Sequence, residues 1–367
     1  MQIARLEAAP LDVPLRRAFG IAGGTQEIAK NVLVRIELAD GTLGYGEGAP
    51  FEAFNGETQA DTFAAIETAR PAIEKRDCRA WRKIARDLAT AIPRSGAARC
   101  ALETAMLDAL TRHAQMSLHT FFGGVEDALV TDVTLPTGSV EEAAREAEVW
   151  SRAGFSRLKV KIGGAAMGHD IERVLAAHAA APSAALMLDG NGGLTADAAL
   201  GVVRTLAKKG VRPILFEQPV PRDDWKGLAE VARSCGIPVA ADESAASVSD
   251  VLRVAETRAA HVINVKPMKA GLVAAIEIAT VAKAAGLGLM IGGMVEAKLA
   301  MSASACLAAG LGGFAFVDLD TPLFLADDPF EGGYAQVGER LELSAIAAGH
   351  GTTPRASARS PIGRRAE

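Results

Sequence analysis

From about residue 130 onwards, short apolar runs recur along the chain at intervals of about 25 residues and alternate with amphipathic segments such as 140–153 and 271–285. Continuous apolar runs are typical of parallel strands buried on both faces. Repetition of one βα unit eight times closes a barrel. The pattern therefore predicts a (β/α) barrel over residues 126–321, with strands at 130–135, 157–162, 185–189, 213–217, 238–242, 261–266, 287–291 and 314–319.

The residues before the barrel show a different pattern. Two predicted strands, 2–13 and 31–38, are followed by the hairpin turn Asp40-Gly41, and an alanine-rich helical pattern covers about 57–118. Antiparallel strands followed by helices are typical of an α+β domain. The predicted fold class is thus α/β, a modified (β/α) barrel with an N-terminal α+β capping domain over residues 1–125.

After the barrel, the apolar pattern becomes weak. Short apolar stretches at 322–326 and 334–343 predict that residues 322–346 return to the capping domain. Residues 347–367 are rich in Gly, Ser, Pro and Arg and have no apolar periodicity, which predicts a disordered tail. A basic docking tail is the alternative interpretation.

The composition is that of a globular enzyme-sized protein whose partners are neither nucleic acids nor membranes. Of 367 residues, 49% are hydrophobic, 23% are charged and 5% are aromatic, and the net charge is −5. This charge disfavours binding to nucleic acid or anionic membrane, and few aromatic side chains are present for base stacking. The four cysteines form no CxxC pair, the N-terminus lacks an apolar signal core, and no apolar run approaches membrane-spanning length, so we expect a cytoplasmic protein.

A charged residue stands at the carboxyl end of several apolar runs. Lys161, Asp189, Glu217, Asp242 and Lys266 follow one another at intervals of 28, 28, 25 and 24 positions. Barrel enzymes carry their chemistry at the carboxyl ends of strands, so these side chains are predicted to converge. Three carboxylates without histidine or cysteine suit Mg²⁺. Each carboxylate alone would more often be a helix N-cap or a loop residue, and only the series indicates a metal-assisted acid/base site.

Lysines at the two ends of this series are candidate bases. Lys159 and Lys161 point to the same strand face, and mutual repulsion inside a barrel would lower their pKa toward that of a neutral base. Taken alone, such a pair is more often two solvated lysines on a sheet edge. Lys266 is predicted to lie across the barrel from Lys161. Two opposed bases can remove a proton from one face of a carbon and return it to the other, and Mg²⁺ would stabilise the enediolate formed α to a carboxylate.

The motifs of this series resemble those of the enolase superfamily, in its muconate-lactonizing-enzyme subgroup. The resemblance extends from Gly44 to Asp320 and includes KVK at 159–161, DGN at 189–191, EQP at 217–219, DES at 242–244 and NVKPMKAG at 264–271. It implies Mg²⁺ ligands at Asp189, Glu217 and Asp242. It also implies that Lys161 and Lys266 are the opposed bases and that Lys159 is an electrostatic helper.

Within that subgroup, residues 317–322 resemble the D-x-D motif of dipeptide epimerases such as L-Ala-D/L-Glu epimerases. Asp318 and Asp320 share a strand face, so both carboxylates can receive the α-ammonium group of a dipeptide. Ordinary loop acids are the other interpretation of this pair. Thr134, in the first barrel strand, and Met294, in the family-like stretch 292–296, are further substrate-binding candidates.

The predicted specificity loops, near 16–27 and 49–57, depart from the acidic-dipeptide pattern. Epimerases of this kind that act on Ala-Glu dipeptides carry an arginine in the first loop, and Gly23 stands where it is expected. Neither Arg16 nor Arg17 is a positional substitute. The second loop offers aromatic and acidic groups, so either an apolar or a cationic side chain could be accommodated.

The preferred hypothesis is a Mg²⁺-dependent dipeptide epimerase that inverts the α-carbon of the C-terminal residue by two-base proton transfer. The alternative keeps the superfamily but changes the reaction: N-acylamino-acid racemase, o-succinylbenzoate synthase or cycloisomerase. Their substrates lack a free ammonium group and would leave the D-x-D pair unused. A Schiff-base aldolase barrel and a barrel that binds without turnover are more distant alternatives. Homo-oligomers are common among such barrels, so a homo-oligomer is one expectation by analogy.

Overall fold

The computed structural model describes residues 1–21 and 24–355. The strands are, in chain order, β1 (Ile3–Ile21), β2 (Gly24–Leu38), β3 (Leu43–Gly48), β4 (Ala128–Val130), β5 (Val133–Leu135), β6 (Arg157–Lys161), β7 (Ala185–Asp189), β8 (Leu215–Glu217), β9 (Val239–Ala241), β10 (Val262–Val265), β11 (Gly288–Gly292), β12 (Phe314–Asp318), β13 (Phe330–Gly332), β14 (Ala335–Val337), β15 (Arg340–Glu342) and β16 (Thr352–Pro354).

The helices alternate with the strands in the second part of the chain, and 3₁₀ helices cover Cys78–Ala80 and Thr321–Phe324. None of the helices in the described ranges is both long and apolar enough to cross a membrane. The α-helices are α1 (Glu52–Asn55), α2 (Gln59–Ile73), α3 (Trp81–Ala91), α4 (Gly96–His113), α5 (Leu118–Phe122), α6 (Val140–Arg152), α7 (Met167–Ala180), α8 (Ala196–Lys208), α9 (Trp225–Ser234), α10 (Val248–Thr257), α11 (Pro267–Ala270), α12 (Leu272–Ala284) and α13 (Lys298–Leu311).

The N-terminal part is an antiparallel sheet packed against helices. Strands β1, β2 and β3 pair in that order, and helix α4 lies against β3. This contact requires glycine on the strand. A Cβ atom on Gly46 would lie 2.0 Å from the carbonyl oxygen of Ala101, and a Cβ atom on Gly44 would lie 2.2 Å from the carbonyl oxygen of Ala105. Helix α4 is therefore held close to the backbone of β3, and nearly all of its side chains are buried.

The second part is the predicted barrel. Strands β5 to β12 form one parallel sheet in sequence order, with helices between successive strands. Polar side chains cap these helices immediately after the loops, with Thr195, Asp224 and Ser247 at the N-termini of α8, α9 and α10. The sheet closes where the backbone N–H of Asp132 donates to Val317 O at 2.9 Å. The predicted fold class is confirmed.

Apolar side chains fill the centre of the barrel. Met187, Leu215, Ala240, Val262 and Met290 form a buried cluster contributed by five successive strands. Met187 is paired in register with Lys159, so this apolar layer reaches the level of the first candidate lysine. The next inward-facing level of the strands, two residues further on, is the one that carries the charged side chains.

The structure corrects three details of the sequence predictions. The predicted strand 130–135 is two strands, because Thr131 and Asp132 bond to the last barrel strand instead of continuing one ladder, and β4 pairs with β15. The predicted loop at 16–27 is largely a hairpin, in which Ile21 pairs with Gly24. Gly23 itself lies outside the described residues.

The third correction concerns the tail predicted to be disordered from residue 347. The chain is ordered to residue 355: β16 pairs with β13, and His350 is fully buried. The N–H of His350 donates to Asp108 Oδ1 at 3.0 Å and Arg112 donates to Thr352 O at 2.7 Å. These contacts with α4 are long-range and leave no trace in local composition. Residues 356–367 lie outside the described residues.

Candidate active site

The charged series converges at the carboxyl ends of the barrel strands. Lys161, Asp189 and Glu217 are paired in register across β6, β7 and β8, which places them at one level of the barrel. Asp242 and Lys266 follow β9 and β10 directly. All of these side chains are at most 7% exposed. The similar spacing along the chain thus arises because each βα unit returns the backbone to the same end of the barrel.

Each of the three candidate metal ligands, here called the central trio (Asp189, Glu217 and Asp242), contacts a lysine. Lys161 Nζ lies 2.6 Å from Asp189 Oδ2, and Lys266 Nζ lies 2.6 Å from Asp242 Oδ2. Lys159 Nζ lies 3.5 Å from Glu217 Oε2. Lys159 therefore faces the barrel interior with Lys161 rather than lying on a solvated sheet edge.

These contacts change the protonation of the lysines. Burial lowers the pKa of Lys159, but the negative charges of Asp318, Glu217 and Asp189 outweigh it and raise the pKa well above its usual value. The pKa of Lys266 is likewise raised by Asp242 and Glu217 against the effect of burial. The predicted lowering through repulsion between neighbouring lysines is wrong for Lys159, because the charges of the surrounding carboxylates raise its pKa.

The carboxylates are tuned in opposite directions. Burial and the charge of Asp189 raise the pKa of Glu217 to about 8. Burial also acts to raise the pKa of Asp242, but Lys266 and Lys269 lower it below its usual value. Three buried carboxylates at one level require positive charge, and hard oxygen donors without histidine or cysteine fit Mg²⁺. The residues of the central trio therefore fit a divalent cation.

Two residues that hold the central trio were missed in the sequence analysis, although both stand in the motif at 264–271. Asn264 Nδ2 donates to Glu217 Oε1 at 2.6 Å. Lys269 Nζ donates to Asp242 Oδ1 at 3.0 Å and to its carbonyl oxygen at 2.7 Å. Lys269 occupies a buried position on helix α11 where an apolar residue would usually pack. A lysine at such a position was the sequence signal that could have identified it.

A second acidic group lies at the barrel closure. Among the described residues, the three carboxylates whose oxygens all lie within 4.8 Å of one another are Asp132, Asp318 and Asp320, here called the seam trio. Lys159 Nζ donates a short hydrogen bond to Asp318, and the backbone N–H of Thr134 donates to Asp320 Oδ2 at 2.6 Å. Burial and the charge of Asp318 raise the pKa of Asp320 to about 6. Asp132 was not singled out in the sequence.

Asp318 and Asp320 of the seam trio, together with the three lysines that contact the central trio, open into one cleft between the barrel and the capping domain. Thr134 and Met294 also line it, as does the 3₁₀-helix residue Thr321. All predicted lysines of the site reach this cleft. The residues that line it are Phe51, Phe54, Thr134, Lys159, Lys161, Asn191, Lys266, Gly293, Met294, Val295, Asp318, Asp320 and Thr321.

The side of the cleft next to the capping domain is apolar. Phe51 and Phe54 pack against a buried cluster that includes Met294 and Met268, and Lys266 Nζ lies 5.8 Å from the centre of the Phe54 ring. Of the two acidic residues of the same loop, Glu52 is exposed and Glu57 is buried away from the cleft, where it accepts a hydrogen bond from Ala97 N. Of the two kinds of side chain in this loop, aromatic and acidic, the aromatic ones line the cleft.

No arginine among the described residues lines the cleft. Arg16 donates to the carbonyl oxygen of Leu325 at 2.9 Å, and Arg17 forms a short ion pair with Glu146 on helix α6. Both side chains are thus engaged away from the site, as expected from their position in the sequence.

A buried glutamate of the capping domain holds the loop that follows β11. Glu47 accepts hydrogen bonds from the backbone N–H groups of Ala297 at 2.8 Å and Ala300 at 3.1 Å, and from Asn31 Nδ2 at 2.7 Å. Asn31 also donates to Val295 O at 2.9 Å. Met294 is therefore positioned by the capping domain as well as by the barrel.

The chain matches two family models over most of its length. Residues 5–123 match the mandelate racemase / muconate lactonizing enzyme N-terminal domain, and residues 141–358 match the enolase C-terminal domain-like family.

Several similar proteins are named as dipeptide epimerases. An aromatic dipeptide epimerase from Herpetosiphon aurantiacus is 51% identical over 95% of this chain and 98% of its own length. A hydrophobic dipeptide epimerase from Citrifermentans bemidjiense is 37% identical over 97% of this chain and 99% of its own. The crystal structure of a dipeptide epimerase from Enterococcus faecalis, complexed with Mg and the dipeptide L-Leu-L-Tyr, superposes with a TM-score of 0.92 at 33% identity and covers 96% of this chain and all of that one (100%).

Proposed function

The chain belongs to the enolase superfamily, in the mandelate racemase and muconate lactonizing enzyme group, and we propose that within this group it is a dipeptide epimerase. The reaction inverts the α-carbon of the C-terminal residue of a dipeptide. One observation carries the proposal: a single cleft is lined by two lysines from opposite strands of the barrel and by the acidic pair Asp318 and Asp320, and each of these two lysines contacts a buried carboxylate of the central trio.

Mg²⁺ is the cofactor, and the central trio would hold it. When bound, Mg²⁺ supplies positive charge that lowers the cost of converting the substrate carboxylate to an enediolate. Asn264 and Lys269 orient Glu217 and Asp242 through the hydrogen bonds described above. In metal sites generally, residues that hydrogen-bond to the ligands fix the orientation of those ligands.

Lys161 and Lys266 transfer the proton. They stand on β6 and directly after β10, which are four strands apart in an eight-stranded barrel and therefore face each other across the cleft. In each direction, one lysine removes the α-proton from its face of the carbon and the other returns a proton to the opposite face. Lys159, held between Asp318 and Glu217, stabilises negative charge without exchanging the proton.

The α-ammonium group of the dipeptide binds at Asp318 and Asp320. Both are buried carboxylates at the end of β12, and charge-assisted hydrogen bonds to an ammonium group are among the stronger polar contacts in proteins. A substrate without this ammonium would leave the remaining acceptor positions of these two buried acids unfilled, which disfavours N-acylamino acids.

We propose further that the inverted residue carries an apolar, preferably aromatic, side chain. The support is the wall formed by Phe51, Phe54 and Met294, together with the absence of arginine from the cleft lining in the described part of the chain. The named activities of the two similar epimerases, aromatic and hydrophobic, agree with this choice.

The free cysteines support a reducing, cytoplasmic location.

The test is deuterium uptake in D₂O with Mg²⁺, followed by mass spectrometry and chiral analysis. The substrates are L-Ala-L-Phe, L-Ala-L-Glu, L-Ala-L-Lys and N-acetyl-L-Phe. We expect one deuterium to enter L-Ala-L-Phe as L-Ala-D-Phe accumulates, with at least about tenfold lower kcat/KM for the glutamate dipeptide, since a charged side chain would be placed against aromatic rings.

Addition of EDTA should abolish the exchange, and excess Mg²⁺ should restore it. Faster exchange with N-acetyl-L-Phe than with any dipeptide would contradict the assignment of Asp318 and Asp320. Exchange confined to L-Ala-L-Glu would contradict only the apolar side-chain pocket.

A further inference from the structure

Glu47, near the end of strand β3 in the capping domain, caps a helix of the barrel. Its carboxylate is fully buried and accepts hydrogen bonds from Ala297 N at 2.8 Å and Ala300 N at 3.1 Å, at the N-cap position and in the first turn of helix α13. The first N–H groups of a helix have no partner within it, and the side chain of Ala297 has no oxygen to supply one. The capping domain therefore provides the cap that the barrel segment lacks.

Asn31, on the neighbouring strand β2, extends this contact to the loop before helix α13. Its Nδ2 atom donates to Glu47 Oε1 at 2.7 Å and to Val295 O at 2.9 Å, and its side chain is buried. Amide and carboxylate groups are costly to bury unless they are hydrogen-bonded. Two of them at one domain boundary indicate a need for directional contacts, which apolar packing does not supply. Asn31 and Glu47 are here called the clamp.

The clamp is connected to both sides of the apolar wall of the cleft. On the barrel side, its partner Ala300 belongs to the buried cluster that contains Met294. On the capping side, Glu47 stands four residues before Phe51, which packs against the same cluster. A change in the clamp would therefore alter the distance between Met294 and Phe51.

Contacts within the barrel hold the shape of the loop that carries Met294, but not its distance from the capping domain. Met294 N donates to Glu296 Oε1 at 2.7 Å, and Glu296 N donates to Thr321 Oγ1 at 3.2 Å. All of these groups belong to the barrel. Within residues 1–21 and 24–355, the hydrogen bonds between the capping domain and residues 293–297 are those of Asn31 and Glu47.

We propose that Asn31 and Glu47 are positioning residues that set the width of the side-chain pocket by fixing Met294 relative to the two phenylalanines of the wall. This inference rests on the proposed function. Neither clamp residue lines the cleft, so both act through the wall rather than by contact with the substrate. An aromatic side chain of the substrate depends on the separation of these groups, whereas a methyl group does not reach them.

The first experiment compares Glu47→Gln with the wild-type enzyme on L-Ala-L-Phe and L-Ala-L-Ala. The amide keeps the size of the side chain but turns an NH₂ group toward Ala300 N–H or toward the donors on the other side, which it repels. We expect KM for L-Ala-L-Phe to rise about tenfold, with kcat within about threefold, because binding of the ring is weakened equally in the ground state and the transition state. KM for L-Ala-L-Ala should change by less than about twofold.

Glu103→Gln is the matched control. Glu103 is likewise buried in the capping domain and accepts a hydrogen bond from Val273 N of barrel helix α12 at 2.8 Å, but neither residue lines the cleft. Its replacement should lower the midpoint of thermal unfolding as Glu47→Gln does, while the ratio of the two KM values stays that of the wild-type enzyme. An equal change of this ratio in both variants, or an equal rise of both KM values in Glu47→Gln, would overturn the proposal and assign the clamp to domain docking alone.

A second variant tests the clamp in case Glu47→Gln does not fold. Asn31→Leu has a similar size but cannot donate to Glu47 or to Val295 O. We expect the same rise in KM, confined to L-Ala-L-Phe. In the double variant the rise should not exceed the larger of the two single rises, because residues that act as one unit are not additive. Multiplied effects would show two independent contacts and contradict a single clamp. If the wild-type enzyme epimerised no dipeptide at all, the proposed function would fail instead.

Discussion

The barrel mouth contains two groups of three buried carboxylates that differ in their positive partners. In the central trio, each carboxylate contacts a lysine ammonium group. In the seam trio, one carboxylate contacts Lys159, one accepts a backbone N–H, and Asp132 accepts neither. The same residue types therefore occupy two electrostatically distinct environments at one barrel mouth.

The difference follows from where the two groups stand in the fold. The central carboxylates lie at the ends of the adjacent strands β7, β8 and β9, and the flanking strands β6 and β10 each end in a lysine. The seam carboxylates come from the segments of the first and last barrel strands. Between these two strands, single hydrogen bonds take the place of a continuous β-ladder. Regular pairing yields a level array suited to a metal and two bases, and the irregular seam yields a compact acidic pocket suited to an ammonium group.

The largest expected effect comes from removing a base from the central region. Lys266→Ala should lower the rate of epimerisation by about 10²–10⁴-fold, since proton transfer by a positioned group contributes about that much. Exchange of the α-proton with solvent should survive for only one of the two epimers, because Lys161 still serves its own face. The measurement is deuterium exchange of L-Ala-L-Phe and L-Ala-D-Phe separately.

Lys226→Ala, on the exposed side of helix α9, is the control and should behave as wild type. Loss of exchange from both epimers in Lys266→Ala, in a folded protein that still binds Mg²⁺, would contradict the division of the two faces between two bases.

A matched pair of variants tests whether the two trios have different roles. Glu217→Gln should weaken Mg²⁺ binding by at least about 10–100-fold, the cost seen for removing even the outer partners of metal ligands. Asp318→Asn should leave Mg²⁺ affinity within about threefold and lower kcat/KM for dipeptides by about 10–100-fold, as expected for a charge-assisted hydrogen bond. Calorimetry with Mg²⁺ and steady-state kinetics on both variants test this, and a reversed pattern would exchange the roles of the two groups.

The pH dependence should differ between substrates with and without an amine. The pKa of Asp320 is raised to about 6 by burial and by Asp318. As the pH falls through 6 this carboxylate gains a proton and no longer attracts the ammonium group, which remains charged there. We expect kcat/KM for L-Ala-L-Phe to decline about tenfold per pH unit below about 6. N-propionyl-L-Phe should lack this limb, and an identical limb for both would assign it to another group.

The smallest effect is expected at the apolar wall. Phe54→Ala should raise KM for L-Ala-L-Phe by about tenfold, because part of the apolar contact with the substrate ring is lost. KM for L-Ala-L-Ala, which is too small to reach that ring, should change by less than about twofold. Equal changes for both dipeptides would show that Phe54 supports the fold of the loop rather than the choice of side chain.

The sequence indicated most of the central region because its signal is local and repeated. Asp189, Glu217 and Asp242 each follow an apolar run, and parallel strands in sequence order bring such positions to one level. Lys269 was missed because its role depends on a contact with Asp242 27 positions away. The raised pKa of Lys159 was missed because it depends on how many carboxylates surround the ammonium group, which spacing does not specify.

The sequence by itself determined the barrel, its capping domain and the series of three acids flanked by lysines, since apolar periodicity and strand-end charges are properties of single βα units. Only the tertiary structure decided the rest. It ordered the chain to residue 355 through contacts of His350 with Asp108, turned Phe54 rather than Glu57 toward the cleft, and brought Asp132 to Asp318 across 186 positions. Those features depend on which distant segments meet when the barrel closes, and local composition does not encode such meetings.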